Sequence, residues 1–480
     1  MEKTIMIYNT HIEISPYTLG DIPELEKRWS IWDTTTRRYV PLAYYIDCNT
    51  MFIPKGSNLF ALSKLIKTQP VNVPNGNNYA LMKYNYLMKM MARDNEQIQS
   101  INFLLCQNQF QRNKNRTQLS LNLPTEYGKT YCAINAMCSL GVRCIIITHK
   151  KTIRDQWISE ILKFTTVDNT RIKNILTVED IDKFYENSDI DYDIFVVTHS
   201  LITTYANKYS WDRISVVFEN IGVGLKIIDE VHLRFKNTLM IDFFTNVTKN
   251  FYLTATHGRS DNKEMQIFNK AFSSSVRFGD NLNINKHTIY VFRFFNSYPT
   301  SKDRISILTT KGVSAYLYAD YSFKNDPYKT LELMILKTLE ECVVIEGRIL
   351  ILVPKIENTE YLLNVIKKKY PDISSGAINS KRNKDEIKNT KENDRIIVST
   401  IKSLGTGDNI LKLRNLILTE PFSSNITADQ VIGRLRKYSE TEYTYVHELI
   451  NTGFPDIMRQ VEKRFKVIKK KCLSIKQIKM

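Results

Sequence analysis

The sequence predicts an α/β protein, with two parallel-sheet lobes in tandem behind a small α+β N-terminal domain. Short, nearly continuous apolar runs alternate with amphipathic helical segments over residues 97–278, and the alternation resumes over residues 331–418. Strands that are apolar along their whole length and are separated by helices are typical of a parallel sheet covered on both faces. A length of 480 residues also exceeds what one hydrophobic core usually holds. We therefore expect domains at residues 1–92, 93–280 and 281–480.

The N-terminal domain is predicted from three local patterns. The segment IMIYNTHIEI alternates like one strand, DIPELEKRW has the spacing of a short helix, and YVPLAYYIDCNTMFIPKG is typical of a hairpin that turns at Asp47 to Thr50. Aromatic side chains are expected to form the core of this domain. They are Trp29, Trp32, Tyr44, Tyr45 and Phe52.

The two lobes are predicted strand by strand. In the first lobe we expect strands at residues 119–123, 143–148, 175–178, 194–198, 225–228 and 251–254. Residues 280–327 have a less regular pattern, and residues 381–394 are predicted to be a polar connector. In the second lobe a helix at residues 331–341 precedes strands at 348–353, 395–399 and 413–418, and the lobe is expected to end in a basic helix.

The charge of the chain indicates a polyanionic partner. The formal net charge is +17 and the pI is about 9.3, and such a surplus favours nucleic acid. A generally lysine-rich surface would give the same total, but here the basic residues cluster. The clusters are Lys150, Lys151 and Arg154, then Lys367 to Lys369, and a dense tail from Arg459 to Lys479. With such a partner, the aromatic residues of the N-terminal domain could stack on bases instead of forming a core.

Composition argues against several classes of protein. The apolar stretches are far too short to span a bilayer, and the N-terminus lacks the long apolar core of a signal peptide. The seven cysteines include no CxxC pair, so neither a zinc ribbon nor a disulfide framework is indicated. We expect a monomer with buried thiols in the cytoplasm, or in the host cytoplasm if the protein is viral.

The segment LSLNLPTEYGKTY, Leu119 to Tyr131, carries the first candidate for chemistry. An apolar strand ends at Pro124, and a helix opens at Lys129 and Thr130. The backbone N–H groups of such a turn and the positive end of the helix attract phosphate oxygens. We expect Lys129 to reach the β and γ phosphates of a nucleotide and Thr130 to ligate Mg²⁺, with Thr125 and Gly128 lining the turn.

The segment KIIDEVH, Lys226 to His232, places two carboxylates after another apolar strand. Asp229 would hold the metal ion and Glu230 would polarise the attacking water. Each segment alone is a weak signal, because an ordinary turn or a solvated strand end contains the same residue types. Together, and each after a buried strand, they predict hydrolysis of ATP with Mg²⁺ as cofactor.

Further segments resemble those of the superfamily 2 DExH-box helicases and translocases, in family order from Gln97 to Tyr445. Within that superfamily the chain looks most similar to helicases of phages and large DNA viruses, of the UvsW-like type. The resemblance implies RecA-like lobes that close on ATP and move along nucleic acid. Besides the two segments above, the matching stretches are RDNEQIQSI, IIITHKKTIRDQW, VVTHSL, Thr254-Ala255-Thr256, ILILVPK, IIVSTIKSLGTGDNI and QVIGRLRKY.

The resemblance also implies roles for single residues of these stretches. Gln97 would read adenine, and Gly407 and Asp408 would contact the nucleotide from the second lobe. The residues implied to couple the nucleotide to the nucleic acid are His232, Thr254, Thr256 and Gln430. The residues implied to touch nucleic-acid phosphates are Thr148, Lys150, Lys151, Thr198, Thr400 and Gly405.

Two departures from the family pattern affect the predicted chemistry. Arg434 and Arg436 are the candidates for stabilising the γ-phosphate, but the family usually has its second arginine where this chain has Lys437. We favour Arg436, because lysine lacks the two-donor fork of a guanidinium. Glu126 stands where the family usually has glycine, and a carboxylate beside a triphosphate is unfavourable unless it faces solvent.

The function expected from these observations is that of an ATP-dependent DNA helicase or duplex translocase of a phage or virus. It would remodel forks and recombination intermediates during DNA replication, recombination and repair, binding branched or duplex DNA without strong sequence preference. Two alternatives stay open: an RNA helicase or transcript-displacing motor, and a nucleic-acid-binding regulator with weak ATPase activity. A third, the motor of a restriction or nuclease system, lacks the support of a nuclease-like carboxylate–lysine cluster outside the motor motifs.

Overall fold

Two seven-stranded parallel sheets, one in each half of the chain, form the framework of the protein. The computed structural model describes residues 2–33, 36–73, 76–107, 116–123, 127–187, 190–254, 262–273, 276–279, 287–310, 312–404, 410, 412–422, 432, 435 and 442–480. The chain divides into two units, Met1–Leu282 and Asn283–Met480. Among the described residues, no helix is both long and apolar enough to cross a membrane. The predicted α/β fold class is confirmed, whereas the three-domain division stays a prediction.

The N-terminal domain is built on a five-stranded mixed sheet. In sheet order its strands are β5 Tyr45–Asp47, β6 Thr50–Pro54, β2 His11–Ser15, β1 Thr4–Ile7 and β7 Pro70–Asn72. The other elements are helix α1 Pro23–Arg28, helix α2 Leu59–Ile66, and a ribbon of β3 Ser30–Asp33 with β4 Arg38–Pro41. The predicted helix and hairpin are confirmed. At the hairpin turn Cys48 and Asn49 have φ of 44° and 60°, the left-handed conformation that two-residue hairpins favour.

Two predictions for this domain are wrong in part. The segment predicted as one strand is the antiparallel pair β1 and β2, because the chain reverses where the Tyr8 N–H donates to the His11 carbonyl at 2.9 Å. Among the aromatic residues, Trp29 and Tyr44 are buried, but Trp32 is 52% exposed. Ile31 packs against the core, whereas the Trp32 ring contacts Tyr39 of the paired strand β4, at 5.2 Å between centroids, and stays at the surface.

The first lobe has helices on both faces of its sheet. In sheet order the strands are β10 Ile172–Asn174, β11 Ile194–Thr198, β9 Cys144–Thr148, β12 Leu225–Ile228, β13 Lys249–Thr254, β8 Gln118–Asn122 and β14 Arg277–Phe278. The helices are α3 Asn95–Leu104, α4 Lys129–Leu140, α5 Lys151–Phe164, α6 Val178–Glu186, α7 His199–Lys208, α8 Trp211–Ile221, α9 Phe235–Phe244 and α10 Asn262–Ala271, with a 3₁₀ turn at Asn169–Arg171.

Five of the six strands predicted for this lobe are confirmed. The strand predicted at residues 175–178 is wrong, because β10 ends at Asn174 and helix α6 already begins at Val178. Thr177 caps that helix, and its side chain and that of Asp180 satisfy each other's backbone N–H groups. The capping pattern in the sequence was the signal that distinguished a helix start from a strand.

The second lobe repeats the parallel arrangement. In sheet order the strands are β19 Ser375–Ile378, β20 Ile396–Ser399, β18 Arg348–Leu352, β21 Leu413–Leu418, β22 Thr444–Asn451, β15 Thr288–Phe295 and β23 Ser474–Lys479, beside a small ribbon of β16 Leu308–Thr309 and β17 Gly312–Val313. The helices are α11 Ser301–Ser306, α12 Ala315–Asp320, α13 Thr330–Val343, α14 Ile356–Lys369, α15 Lys384–Asn393 and α16 Pro455–Lys471, with a π-helical turn at Tyr321–Asn325.

Three predictions for the second lobe need correction. The irregular stretch contains the eight-residue strand β15, which is buried along nearly all of its length. The polar connector contains helix α15, which starts with a capping box of Asn383 and Glu386. The basic helix α16 is not the last element, since strand β23 follows it and pairs with β15 at the sheet edge. Helix α15 and strand β23 gave no periodic apolar signal because almost none of their residues is buried.

Candidate nucleotide-binding site

The candidate site lies at the carboxyl edge of the first-lobe sheet. Helix α4 follows strand β8 in the chain, and Asp229 and Glu230 follow strand β12. A single strand, β13, separates β8 from β12 in the sheet. In open parallel sheets, ligands bind at this edge because the strand-to-helix turns present backbone N–H groups and helix N-termini there.

Gly128 is fixed by its surroundings at the start of helix α4. Its φ is +83°, and an added Cβ would lie 2.4 Å from Nε2 of Gln97. Gln97 is buried, donates from Nε2 to the Tyr127 carbonyl at 3.3 Å and accepts the Arg93 N–H at Oε1 at 2.8 Å. A side chain at this position would strain the backbone and displace Gln97, so glycine suits it best. The structure places Gln97 directly beside the predicted phosphate turn.

Lys129, the first residue of helix α4, is buried between the two strand ends. Its Nζ donates to the Leu123 carbonyl at 3.1 Å and lies 3.6 Å from Oε1 of Glu230. The structure thus brings together the predicted phosphate-binding lysine and the predicted general base. Thr130 follows at the second position of the helix and is half-buried.

Asp229 is held by a contact that the motif did not indicate. The Trp157 indole Nε1 donates to Oδ2 of Asp229 at 2.9 Å, and Trp157 itself is buried in helix α5. Burial, and then the charge of Glu230, raise the pKa of Asp229 to about 6, while the indole hydrogen bond acts in the opposite direction. One carboxylate oxygen is therefore engaged by the protein.

Glu230 has an unusual backbone and connects two basic side chains. Its φ is +49°, a left-handed conformation that costs a residue with a Cβ about 1–2 kcal/mol. One carboxylate oxygen faces Lys129, and the other lies 3.2 Å from Nδ1 of His232. That same nitrogen is 2.8 Å from Oγ1 of Thr254. His232 thus contacts both Glu230, the general-base candidate, and Thr254 at the end of β13. His232 and Thr254 are two of the positions implied to be coupling residues.

The donor set fits a magnesium ion held largely by its nucleotide. Mg²⁺ usually keeps several waters and is held by one or two carboxylates together with substrate phosphates. Asp229 and Thr130 would supply the protein oxygens, and the described residues contain no group of three His, Cys, Asp or Glu side chains that could hold a metal ion alone.

The positions implied to touch nucleic acid lie at the same edge of the sheet. Thr148 and Thr198 are paired in register at the ends of β9 and β11, and both are buried. The Thr148 hydroxyl donates to the Lys150 carbonyl at 3.2 Å, and the Thr198 hydroxyl lies 3.1 Å from that of Ser200. Both hydroxyls thus have partners within the protein, whereas the lysines at the start of helix α5 are exposed. Their contact with phosphates stays a prediction.

The second lobe contributes one described candidate. Thr400, at the end of β20, is buried; its hydroxyl donates to that of Ser403 at 2.8 Å and accepts the Ser403 N–H at 3.0 Å. The remaining candidates of both lobes lie outside the described residues. They are Thr125, Glu126, Thr256, Gly405, Gly407, Asp408, Gln430, Arg434, Arg436 and Lys437.

Two histidines beside the site were not predicted. His149 and His199 directly follow the paired Thr148 and Thr198, and both are buried. Burial lowers the pKa of His149, and burial together with the neighbouring His149 lowers the pKa of His199 to about 3. Both imidazoles are therefore neutral at neutral pH. Each histidine directly follows the last residue of its strand, and the two strands are neighbours in the sheet. The sequence alone could not indicate that they are close, because it does not give the strand order.

Comparison with known proteins agrees with this geometry. Residues 89–259 match the family described as the type III restriction enzyme, res subunit. Transcript termination protein A18 of fowlpox virus is 23% identical over 350 residues, covering 70% of this chain and 71% of the viral protein. The putative helicase 161L of invertebrate iridescent virus 6 is 25% identical over 361 residues, covering 72% and 75%.

The family match and the viral relatives support the resemblance of this chain to superfamily 2 of the helicases and translocases. The matched stretch contains all of the described first-lobe residues of the candidate site, among them Gln97, Lys129, Asp229 and Glu230. The predicted resemblance to this superfamily, including the similarity to helicases of large DNA viruses, is confirmed.

A solved structure supports the two-lobed fold. The ATP-dependent type ISP restriction-modification enzyme LlaBIII, bound to DNA, aligns with a TM-score of 0.55 at 15% identity. The alignment covers 82% of this chain and 31% of that enzyme. At this identity the likeness supports the two-lobed helicase fold and says nothing of the substrate.

Proposed function

We propose that the protein hydrolyses ATP at the carboxyl edge of the first-lobe sheet and uses the energy to move along DNA. The observation that carries the proposal is the group formed by Lys129, Asp229 and Glu230, in which the lysine Nζ is 3.6 Å from the Glu230 carboxylate. A buried cation and two carboxylates beside a helix N-terminus suit a triphosphate and its Mg²⁺ ion.

Each residue has a defined task in this proposal. Lys129 exchanges its contacts with Leu123 and Glu230 for the β and γ phosphates. That exchange frees the Glu230 carboxylate to accept a proton from the attacking water. Mg²⁺, when bound, neutralises charge on the β and γ phosphates, and Asp229 and Thr130 are the residues that would hold it. Gln97 contacts the base.

The second lobe would complete the reaction with positive charge. Arg436, supported by Arg434, stabilises the γ-phosphate as its bond breaks, and such an arginine contributes on the order of 10³–10⁵ in rate to phosphoryl transfer. This assignment comes from the sequence resemblance.

We propose DNA forks and recombination intermediates as the substrate of this motor. The net charge of +17 supports a polyanionic track. A second candidate is the displacement of a transcript from its template, which the similarity to the fowlpox transcript termination protein favours. In both cases the motor would bind backbone phosphates and show little sequence preference.

ATPase rates with different polymers distinguish these candidates. The rate would be measured without polymer and with single-stranded DNA, duplex DNA, forked DNA, single-stranded RNA and an RNA–DNA hybrid. The proposal predicts the largest stimulation by forked or duplex DNA. Stimulation by RNA alone would favour an RNA motor, and binding of all polymers without stimulation would favour a regulator with weak ATPase activity.

A further inference from the structure

The positive charge of the chain is concentrated at its C-terminal end. Residues 455–480 contain nine Lys and Arg residues against two Asp and Glu residues, which is +7 of the total of +17. This stretch consists of helix α16 and the edge strand β23. None of the residues assigned to the nucleotide site or implied to contact nucleic acid belongs to it.

Helix α16 is held firmly by its inner face. Arg464 is fully buried, forms an ion pair with Glu448 and donates to the Phe422 carbonyl. The Phe465 ring stacks on Phe292 of strand β15 at 6.0 Å between centroids. Such contacts fix the rotation of the helix about its axis, so that its outer face has a defined direction.

That outer face is basic and exposed. Arg459, Lys463 and Lys469 are exposed along the helix. On strand β23, Lys479 is paired with Phe294 and therefore lies on the same side of the sheet as Phe292 and helix α16. Lys476 lies on the opposite side of the strand, so that positive charge also continues around the sheet edge.

Two structural roles explain only part of this charge. Lysines protect an exposed sheet edge from pairing with other chains, and cations in the last turn of a helix interact favourably with its dipole. Neither role applies to Arg459 or Lys463, which lie before the last turn of α16. Arg459 forms an i,i+3 ion pair with Asp456 at 3.2 Å. Arg459 and Lys463 are also spaced i,i+4, where like charges are destabilising.

Helix α15 of the same lobe is a charged, solvent-exposed helix with which the charge balance of α16 can be compared. It contains Lys384, Lys388 and Lys391, and these are balanced by Asp385, Glu386 and Glu392. Mixed signs of this kind keep a surface hydrated without creating a strong field. Helix α16 and β23 depart from that balance, because Asp456 and Glu462 are their two acidic residues against nine basic ones. A surface with such an excess of positive charge attracts a polyanion.

We propose that the exposed residues of α16 and β23, here called the C-terminal basic surface, form a second nucleic-acid-binding surface for the phosphate backbone of a duplex. Its exposed members are Arg459, Lys463, Lys469, Lys476 and Lys479. Binding there is electrostatic, independent of base sequence and independent of ATP. The inference goes beyond the proposed motor activity, because it concerns where a duplex is held and not how ATP is hydrolysed.

The test compares two sets of four lysine substitutions. The first variant carries Lys463→Gln, Lys469→Gln, Lys476→Gln and Lys479→Gln. The matched control carries Lys381→Gln, Lys384→Gln, Lys388→Gln and Lys391→Gln on and before helix α15, which removes the same net charge from the same lobe. The affinity of each full-length protein for a fluorescent duplex of about 30 base pairs is measured without nucleotide between about 50 and 200 mM salt.

The C-terminal variant should lose binding steeply and selectively. Each phosphate contact contributes about 0.9 to the slope of log affinity against log salt, so four lost contacts should flatten the slope by about 3 to 4. The control should retain most of the parent slope, and ATP hydrolysis without polymer should match the parent in both variants. If the four-residue variant fails to fold, the pair Lys463→Gln and Lys469→Gln should flatten the slope by about 2.

Three results would overturn the proposal. The first is an equal change of slope in both variants, which would assign the effect to net charge alone. The second is unchanged duplex binding in the C-terminal variant. The third is unchanged duplex binding together with lost binding to vesicles of anionic lipid, which would make the surface a membrane contact. A protein without ATPase activity that still shows the slope difference would refute the proposed motor function and leave this surface intact.

Discussion

The first lobe contains two lysine–carboxylate pairs that differ in burial, in distance and in the number of their hydrogen-bond partners. Lys226 and Asp242 are fully buried, with 2.7 Å between the lysine Nζ and Oδ1. The same Nζ donates to Oγ1 of Thr245 at 2.8 Å, and the other aspartate oxygen accepts the Tyr252 hydroxyl at 2.9 Å. Each charge is thus compensated by several partners.

The pair of Lys129 and Glu230 is looser. Its nitrogen–oxygen distance is 3.6 Å, and its side chains are 9% and 18% exposed. The other partner of the lysine is the Leu123 carbonyl, and Glu230 has a left-handed backbone. The Lys226–Asp242 pair has both of its charges compensated by nearby hydrogen-bond partners and therefore completes the core. The looser Lys129–Glu230 pair can exchange its contacts for those of a ligand.

The pKa shifts of the closed pair agree with its structural role. Burial is the largest cause in both residues; it lowers the pKa of Lys226 and raises that of Asp242, while their mutual attraction opposes each shift. Desolvation of this kind makes each charge depend on its partner. The comparison therefore predicts that changes at Lys226 affect folding and that changes at Lys129 affect turnover.

The largest effect is expected from Lys226→Met. Removing one partner leaves the Asp242 charge buried and uncompensated, which typically destabilises a protein by about 3–5 kcal/mol. Denaturant unfolding monitored by circular dichroism measures the loss. The double variant Lys226→Met with Asp242→Leu should recover most of it, because both charges are then removed. Equal instability of the single and double variants would show that packing, not charge, fixes this site.

Lys129→Ala should impair ATP turnover and leave the stability of the fold nearly unchanged. We expect a loss of ATP turnover of about 10²–10³, as is found when a group that stabilises developing charge is removed. The melting temperature should change little, because Glu230 keeps contact with solvent and with His232. Steady-state ATPase assays and thermal melts of the same preparation check both statements. If the melting temperature of Lys129→Ala fell as far as that of Lys226→Met, the two pairs would not differ in their role.

A smaller effect is expected from Trp157→Phe, which keeps an aromatic ring and removes the donor to Asp229. Groups that orient a metal ligand typically contribute about 10–100-fold in metal affinity. The Mg²⁺ concentration for half-maximal ATPase should rise by about 10-fold, and Mn²⁺ binding measured by electron paramagnetic resonance with a non-hydrolysable ATP analogue should weaken in parallel. Unchanged Mn²⁺ binding would show that the indole only packs the core.

The smallest effect concerns pH. The pKa of Asp229 is raised to about 6, so its carboxylate becomes protonated as the pH falls through that value, and a metal ion must then displace a proton. ATPase activity at limiting Mg²⁺ should decline below about pH 6 and should be restored by more Mg²⁺. The same raised pKa means that this group destabilises the fold above about pH 6 and ceases to do so on acidification. A decline that excess Mg²⁺ does not reverse would exclude Asp229 as its cause.

Local sequence patterns predicted much of this lobe. Lys129 and Asp229 were predicted as neighbours because each follows a run of apolar residues that forms a buried strand, and strand ends of a parallel sheet meet at one edge. Lys226 was placed correctly in such a strand, but nothing nearby indicated its partner, since Asp242 lies 16 residues further on in helix α9. Trp157 and Asp229 are separated by 72 residues, and their contact depends on how helix α5 packs on the sheet.

Elements with little burial or two-sided burial were the ones that sequence reasoning missed. Strand β15 is apolar on both faces and was not separated from its irregular surroundings, and strand β23 is exposed on nearly every residue and shows no alternation. Helix α15 has only Thr390 buried. In each case the periodic contrast between a buried and an exposed face, on which such predictions depend, is absent.

The most direct test of the central claim is ATP hydrolysis by the parent protein and by Glu230→Gln with saturating forked DNA and Mg²⁺. The account predicts hydrolysis by the parent that increases when DNA is added. The variant should bind ATP as tightly as the parent but turn it over about 100-fold more slowly, since glutamine keeps the shape of the side chain and cannot accept the proton. Turnover by Glu230→Gln at the parent rate, or no hydrolysis by the parent with any polymer, would contradict the account.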